Sequence, residues 1–379
     1  MSLQGSRGRR LLLGALLFLV TAAAPAETEP LTEQSGVLRV GTSGDYPPFS
    51  RGGEGFDVAV ARELAETLGL EIVWVPFRWP TLTSQIESGD FDLAMGGITW
   101  RAERAAVGRM SRALAQGGPC LVGSADPKSI AVNRGGILER WARSRFDDRQ
   151  VTTTDDNLEL PELLADGDVE AFVTDSFEVQ HFSAGRSTSC EPPVDRKVYW
   201  FAPGRTELAE AVDRWIAENE PTLLELRRTH FGTAQPRAAE QHLVDLLARR
   251  FAFMPHVARY KRERGLAIAD LAQEARILDG AARAARERGL EPEPVRKLFA
   301  LWIDLAKRLQ ERTGAAAATL DLQTQIRPAL LRLTPRLLDA LAAVQERGDV
   351  AFDGALMAPL GQWLLPEELD ELGAALSSF

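Results

Sequence analysis

Metal-ligating side chains are scarce: the 379 residues hold two cysteines, Cys120 and Cys190, and four scattered histidines. No Cys/His set has the spacing of a zinc or other metal site, and no metal or organic cofactor is expected. Positive charge is short as well. Lys and Arg number 44 against 54 Asp and Glu, a net charge of −10, which argues against general binding to nucleic acid or to an anionic membrane. Any anion site must therefore be a local concentration of Arg and Lys. Beyond the N-terminus, no apolar run is long enough to span a bilayer.

The N-terminus reads "RGRRLLLGALLFLVTAAAPAETEP". Arg7, Arg9 and Arg10 precede an apolar run from Leu11 that ends at "APA", Ala24–Ala26. This order predicts a secretory signal peptide over residues 1–26, followed by a linker over 27–36. A retained membrane anchor is the weaker alternative, because the run is short and ends at a cleavage-like site. The mature chain is thus expected in the periplasm, free of the membrane. An oxidising compartment favours a disulfide between Cys120 and Cys190 over two free thiols.

From residue 37 the pattern alternates. "GVLRVGT" is strand-like, "SGDYPPFS" is turn-rich, "FDVAVARELAETLG" has helical periodicity and "LEIVWVPF" is again strand-like. The pairing repeats in "LTSQIESGD" and "FDLAMGGIT", so a parallel α/β sheet is expected. After about Gln235 strand-like runs vanish. Amphipathic helices separated by Gly and Pro follow, such as "PEPVRKLFALWIDLAKRLQERT". The expected architecture is an α/β module over 37–235 and an all-helical module over 240–379, divided near 236–240.

The ordered signatures "GVLRVGTSGDYPPFS", "GFDVAVARELAETLG", "GDFDLAMGGIT" and "VEAFVTDSFE" resemble those of periplasmic solute-binding proteins of family 3 that bind polar amino acids. That likeness implies two α/β lobes joined by a hinge, with ligand between them. It implies that Arg104 clamps a ligand carboxylate beside Thr99, a task suited to a guanidinium's paired donors. It also implies that Tyr46 covers the ligand. Within the superfamily, "TSGDYPPFS", "RWPTL" with Trp79, the two cysteines and "TDSFE" resemble the cyclohexadienyl dehydratases, secreted enzymes acting on prephenate or arogenate. Glu178 then takes the general-acid position and Asp175 lies three residues before it. Loss of the substrate hydroxyl as water needs a carboxyl that stays protonated in a partly dry cleft. One departure stands out: where the dehydratases carry "GGTN", this chain has "GGIL", Gly135–Leu138, so two polar contacts are replaced by Ile137 and Leu138.

In the second module, "RRFAFMPHVARYK", "LAIADLAQEARIL", "LEPEPVRKLFALWIDLAKRLQ" and "LQTQIRPALLRL" resemble the secreted, all-helical chorismate mutases of the gamma class. Their pericyclic reaction needs no covalent help. It needs cations for two carboxylates and donors for the ether oxygen. Arg250 and Lys261 match the family's first-helix pair. Eleven residues apart, they would share a face of one helix at about 16 Å between Cα atoms, although Pro255 interrupts the run. The resemblance implies carboxylate binding by Arg250 and Arg327, and donation to the ether oxygen by Lys261 and Gln310. Arg259, Arg262 and Arg264 read as a solvated face. The family's Arg is replaced by Gln273 and its small hydroxyl residue by Ala306, and Arg276, one turn on, is the candidate substitute.

Together these readings imply a secreted bifunctional enzyme of phenylalanine biosynthesis. The helical module would convert chorismate to prephenate. The lobed module would convert prephenate to phenylpyruvate, or arogenate to phenylalanine. Two alternatives stay open: a non-catalytic solute-binding protein with a degenerate mutase tail, and a mutase whose dehydratase activity is lost. The likeness also implies that copies of the chain can pair as homodimers or larger homo-oligomers.

Overall fold

The computed structural model describes residues 31–134, 137–191, 195–232, 238–314, 319–348 and 350–379. The expected signal peptide, the first four residues of the linker, Gly135, Gly136 and part of the expected module boundary lie outside them.

Two sheets build two lobes. In lobe one the order is Trp200–Phe201, Leu93–Ala94, Val37–Thr42, Glu71–Pro76, the last three parallel and the first antiparallel. The parallel register sets Val40 beside both Leu93 and Trp74. The helix Phe56–Leu68 packs on this sheet through Phe56, Val60, Ala61 and Leu64, an apolar stripe at helical spacing. Gly69 ends it in a left-handed conformation (φ 66°), and the Leu70 N–H caps the Ala65 carbonyl at 2.9 Å. Lobe two carries the order Thr188–Cys190, Pro119–Gly123, Ala171–Asp175, Ile130–Asn133, Val151–Thr154. Its core of Ile130, Val132, Ala171 and Val173 is fully buried.

The chain crosses between lobes twice, and the two crossings pair as antiparallel strands, Ala115–Gly117 with Asp195–Lys197. This short ladder is the hinge. Cys120 and Cys190 face each other across neighbouring strands of lobe two and are joined by a disulfide.

The rest of the chain is helical among the described residues, with a core led by Leu243, Leu247, Phe251, Phe299, Trp302 and Leu337. The single helix expected to carry Arg250 and Lys261 is two helices, Ala239–Ala252 and Met254–Glu263, separated at Phe253. Pro255 is the reason. It has no N–H for the ladder and its ring would crowd the Phe251 carbonyl, whereas at the second position of a new helix neither cost arises. Pro292–Arg312 and Arg327–Arg347 pack alongside, the latter entered through a π turn at Leu322–Ile326.

Lobe one docks onto this module. Ala102 belongs to the helical core, with Trp100 and Ala105 packed against it. Three helical-module arginines satisfy lobe-one carbonyls: Arg249 donates to Ser111 at 2.8 Å, Arg332 to Ala105 at 3.0 Å and Arg336 to Met110 at 2.9 Å. Arg196 of the hinge forms a buried ion pair with Asp245 of the helix Ala239–Ala252. No described helix is long and apolar enough to cross a membrane.

The disulfide closes a loop of 70 residues, which in the chain-entropy account contributes about 4 kcal/mol. Replacing Cys120 and Cys190 together by Ser is expected to cost about that much, as read from the urea midpoint. An unchanged midpoint would show that the cross-link adds no stability.

Candidate functional site

Between the lobes lies a cleft of about 940 Å³. Its walls include all six lobed-module residues singled out from the sequence: Tyr46, Trp79, Thr99, Arg104, Asp175 and Glu178. Sequence reasoning missed Lys197, Asp195, Asn157 and Arg101, which also line it.

Lys197 is the electrostatic centre. It is almost fully buried and pairs with Asp195 at 2.9 Å and Asp175 at 3.3 Å. It also donates to the Tyr46 hydroxyl at 3.0 Å. Burial works against its charge, but Asp195 and Asp175 outweigh that and hold its ammonium above the usual value. Tyr46 donates in turn to Asp175 across the cleft. Burial, with Asp175 and Glu178 nearby, raises the phenol well above its ordinary value, so it stays neutral. The Tyr46 ring rests on Gly97, where a Cβ would overlap it. The Gly96 and Gly97 N–H groups are fixed by buried Asp57 at 2.8 and 2.6 Å. Thr99 donates to Asp195 at 3.1 Å.

Glu178 is fully buried at the end of Ala171–Asp175. Asn157 donates to one carboxyl oxygen and Thr174 to the other, at 2.5 Å. Burial, then the neighbouring Asp175, raises its pKa to about 8 against the effect of those hydrogen bonds. Its surroundings therefore favour the protonated carboxyl over the carboxylate. Arg104 donates to the Thr99 carbonyl at 3.0 Å and lies over the Trp200 ring. Burial, then Arg101, lowers it to about 9. The buried Arg101 Nε has no partner. Ile137 and Leu138 line the same cleft and make part of its wall apolar.

The candidate residues of the helical module fall into two groups. Arg250 is buried, its Nε is unpartnered, and burial alone draws its guanidinium down to about 10, with no acid raising it. Gln310 is likewise buried; its amide donates to the Ala306 carbonyl at 3.1 Å and its oxygen is unpartnered. The second group is wetter. Lys261 donates to the Ile268 carbonyl, and Arg327 reaches Asp270 at 4.0 Å and Gln323 at 2.7 Å. Burial lowers the Lys261 ammonium, opposed by Asp270 and Glu274 and reinforced by Arg327. Arg276 is exposed and donates to Gln273 at 2.7 Å, so the candidate substitute is bonded to the residue that replaces the family's Arg. Arg259 and Arg264 are tied to Glu263, and Arg262 to the Thr313 carbonyl.

Residues 38–233 match the family model of bacterial extracellular solute-binding proteins, family 3. The chain belongs to that family. Residues 235–311 match the model of chorismate mutase type II, which ends before Arg327. Among curated relatives, a cyclohexadienyl dehydratase of Pseudomonas aeruginosa is 32% identical over 247 residues, covering 58% of this chain and 92% of that enzyme. An L-cystine-binding protein of Escherichia coli is 27% identical over 191 residues, 44% of this chain and 72% of that protein. Among solved structures, an ancestral cationic amino acid solute-binding protein covers 52% of this chain and 96% of its own, at 27% identity and a TM-score of 0.46.

Lys197→Met would leave two buried acids facing each other without their cation. The expected cost is about 3 kcal/mol or more, measured by urea unfolding of the full chain. A change below about 1 kcal/mol would mean that the ion cluster is not what holds the hinge.

Proposed function

We propose that the chain is a periplasmic bifunctional enzyme, with a chorismate mutase over 240–379 and a prephenate or arogenate dehydratase over 37–235. The observation that carries the second activity is Glu178, a buried acid in the cleft with a pKa of about 8. In this reading Arg104 and Arg101 bind substrate carboxylates, and Tyr46 and Trp79 cover the ring. The bond to the departing carboxyl breaks and its electron pair enters the ring. The C–O bond to the hydroxyl then breaks, and that oxygen leaves as water with the Glu178 proton. Carbon dioxide, water and the aromatic product result, at the expense of one proton.

For the mutase, Arg250 carries the reading: a buried cation with no counterion among the described residues is costly unless an anion arrives. Gln310 and Lys261 serve as donors to the ether oxygen and Arg327 as a further carboxylate partner. Release of prephenate by one module beside the other gives the fusion a chemical rationale. A second reading is favoured by Ile137 and Leu138 in the cleft wall: the lobes bind the acid and do not turn it over.

Glu178→Gln is expected to abolish phenylpyruvate formation from added prephenate at pH 7, with the far-UV spectrum unchanged. In the wild type the acid is protonated below about pH 8, so the rate should hold at neutral pH and fall as pH rises through that value. No wild-type turnover would decide for binding alone. Arg250→Ala should slow chorismate loss at least a hundredfold, about 2.7 kcal/mol, while added prephenate is still consumed. Arg276→Ala tests the substitute role directly, because an unchanged mutase rate would remove it.

A further inference from the structure

A second cavity, separate from the cleft, lies between lobe one and the helical module. Four arginines line it: Arg109 of lobe one, Arg249 of the helix Ala239–Ala252, and Arg332 and Arg336 of Arg327–Arg347. Trp100 and Phe253 meet edge to face in its wall, with ring centroids 5.9 Å apart, and the rest of the lining, such as Met110 and Leu333, is small or apolar. The volume is about 30 Å³, room for a carboxylate head or a small inorganic anion and too little for a ring.

Acids do not match these cations one for one. Arg109 pairs with Glu210 at 3.0 Å, Arg336 with Asp213 at 3.0 Å and Arg249 with Asp245 at 3.2 Å. Asp245 is shared with Arg196. Arg332 has no ion-pair partner among the described residues; it donates to the Ala105 carbonyl, and burial, then Arg109, lowers its pKa. Arg249 is 1% exposed and its Nε has no partner among the described residues. Guanidinium groups gathered in a partly buried gap repel one another, and an N–H left bare at buried Arg249 forfeits its hydrogen bond. An oxyanion beside Arg332 and the bare Arg249 Nε lowers both costs, since its oxygens suit forked guanidinium donors.

We propose that this cavity is an oxyanion-binding site between the modules, held by Arg332 and Arg249, that takes a small carboxylate or an inorganic oxyanion. It is distinct from both candidate active sites and adjoins each through one peptide bond. Trp100 follows Thr99 of the cleft, and Arg249 precedes Arg250.

The test follows the thermal unfolding midpoint of the full chain in sodium acetate and in sodium sulfate, against sodium chloride at equal ionic strength. An anion that binds only the folded chain raises the midpoint in a saturable way. The same titrations are run on the double variant Arg104→Gln/Arg250→Gln, which removes a cation from each candidate active site, and on Arg332→Gln and Arg332→Lys. The expected result is a saturable rise that survives in the double variant. Its apparent affinity should be at least fivefold weaker in Arg332→Gln and largely recovered in Arg332→Lys. A response to acetate alone assigns the site to organic carboxylates, to sulfate alone to inorganic oxyanions, and to both to oxyanions in general. No saturable rise with either anion overturns the proposal. So does a rise lost in the double variant, or one unaltered in Arg332→Gln.

Discussion

The cleft depends on one buried ammonium. Lys197 sits on the hinge strand Asp195–Lys197 and binds Asp195 of the same strand and Asp175 of lobe two, while donating to Tyr46 of lobe one. One cation thereby ties both lobes to the hinge. It also sets the chemistry beside it. With two acids already sharing its charge, Lys197 has little left to offer Glu178, and a third carboxylate there would be buried against Asp175. Keeping the proton is the cheaper state.

The same strands face two ways. Successive residues of an extended segment point to opposite sides. Lys197 enters the cleft while Arg196 meets Asp245 of the helical module, and Thr99 lines the cleft while Trp100 packs on Phe253. The wall of one site is therefore also the docking face of the other module. Three of its carbonyls, those of Ala105, Met110 and Ser111, are satisfied across the boundary by Arg332, Arg336 and Arg249, and Ala102 is buried in the helical core.

Within the helical module, the break at Phe253 turns Lys261 onto a separate helix from Arg250. Arg250 and Gln310 retain unpartnered buried atoms, whereas Lys261 and Arg327 are engaged by carbonyl, amide and acid groups. The dry pair keeps hydrogen-bonding capacity that no described residue uses. The wetter pair has its capacity taken up by those partners.

Local pattern in the sequence determined the alternating α/β order of the first part and the helical character of the second, because side-chain periodicity is a property of neighbouring residues. Periodicity did not mark Tyr46, Trp79, Thr99, Arg104, Asp175 and Glu178; the resemblance of their motifs to known families did, and the fold gathers all six in one cleft. Lys197 was invisible: "DRKVYW" reads as a charged strand end, and its importance arises only when Asp175 and Tyr46 are brought to it from distant segments. Arg276 and Gln273 were legible as neighbours one turn apart, but their bonding to each other was not. The arginine-lined gap was beyond reach for the same reason, since Arg109 and Arg332 are 223 residues apart in sequence. Burial and charge balance are sums over the whole molecule, and only the tertiary structure performs them.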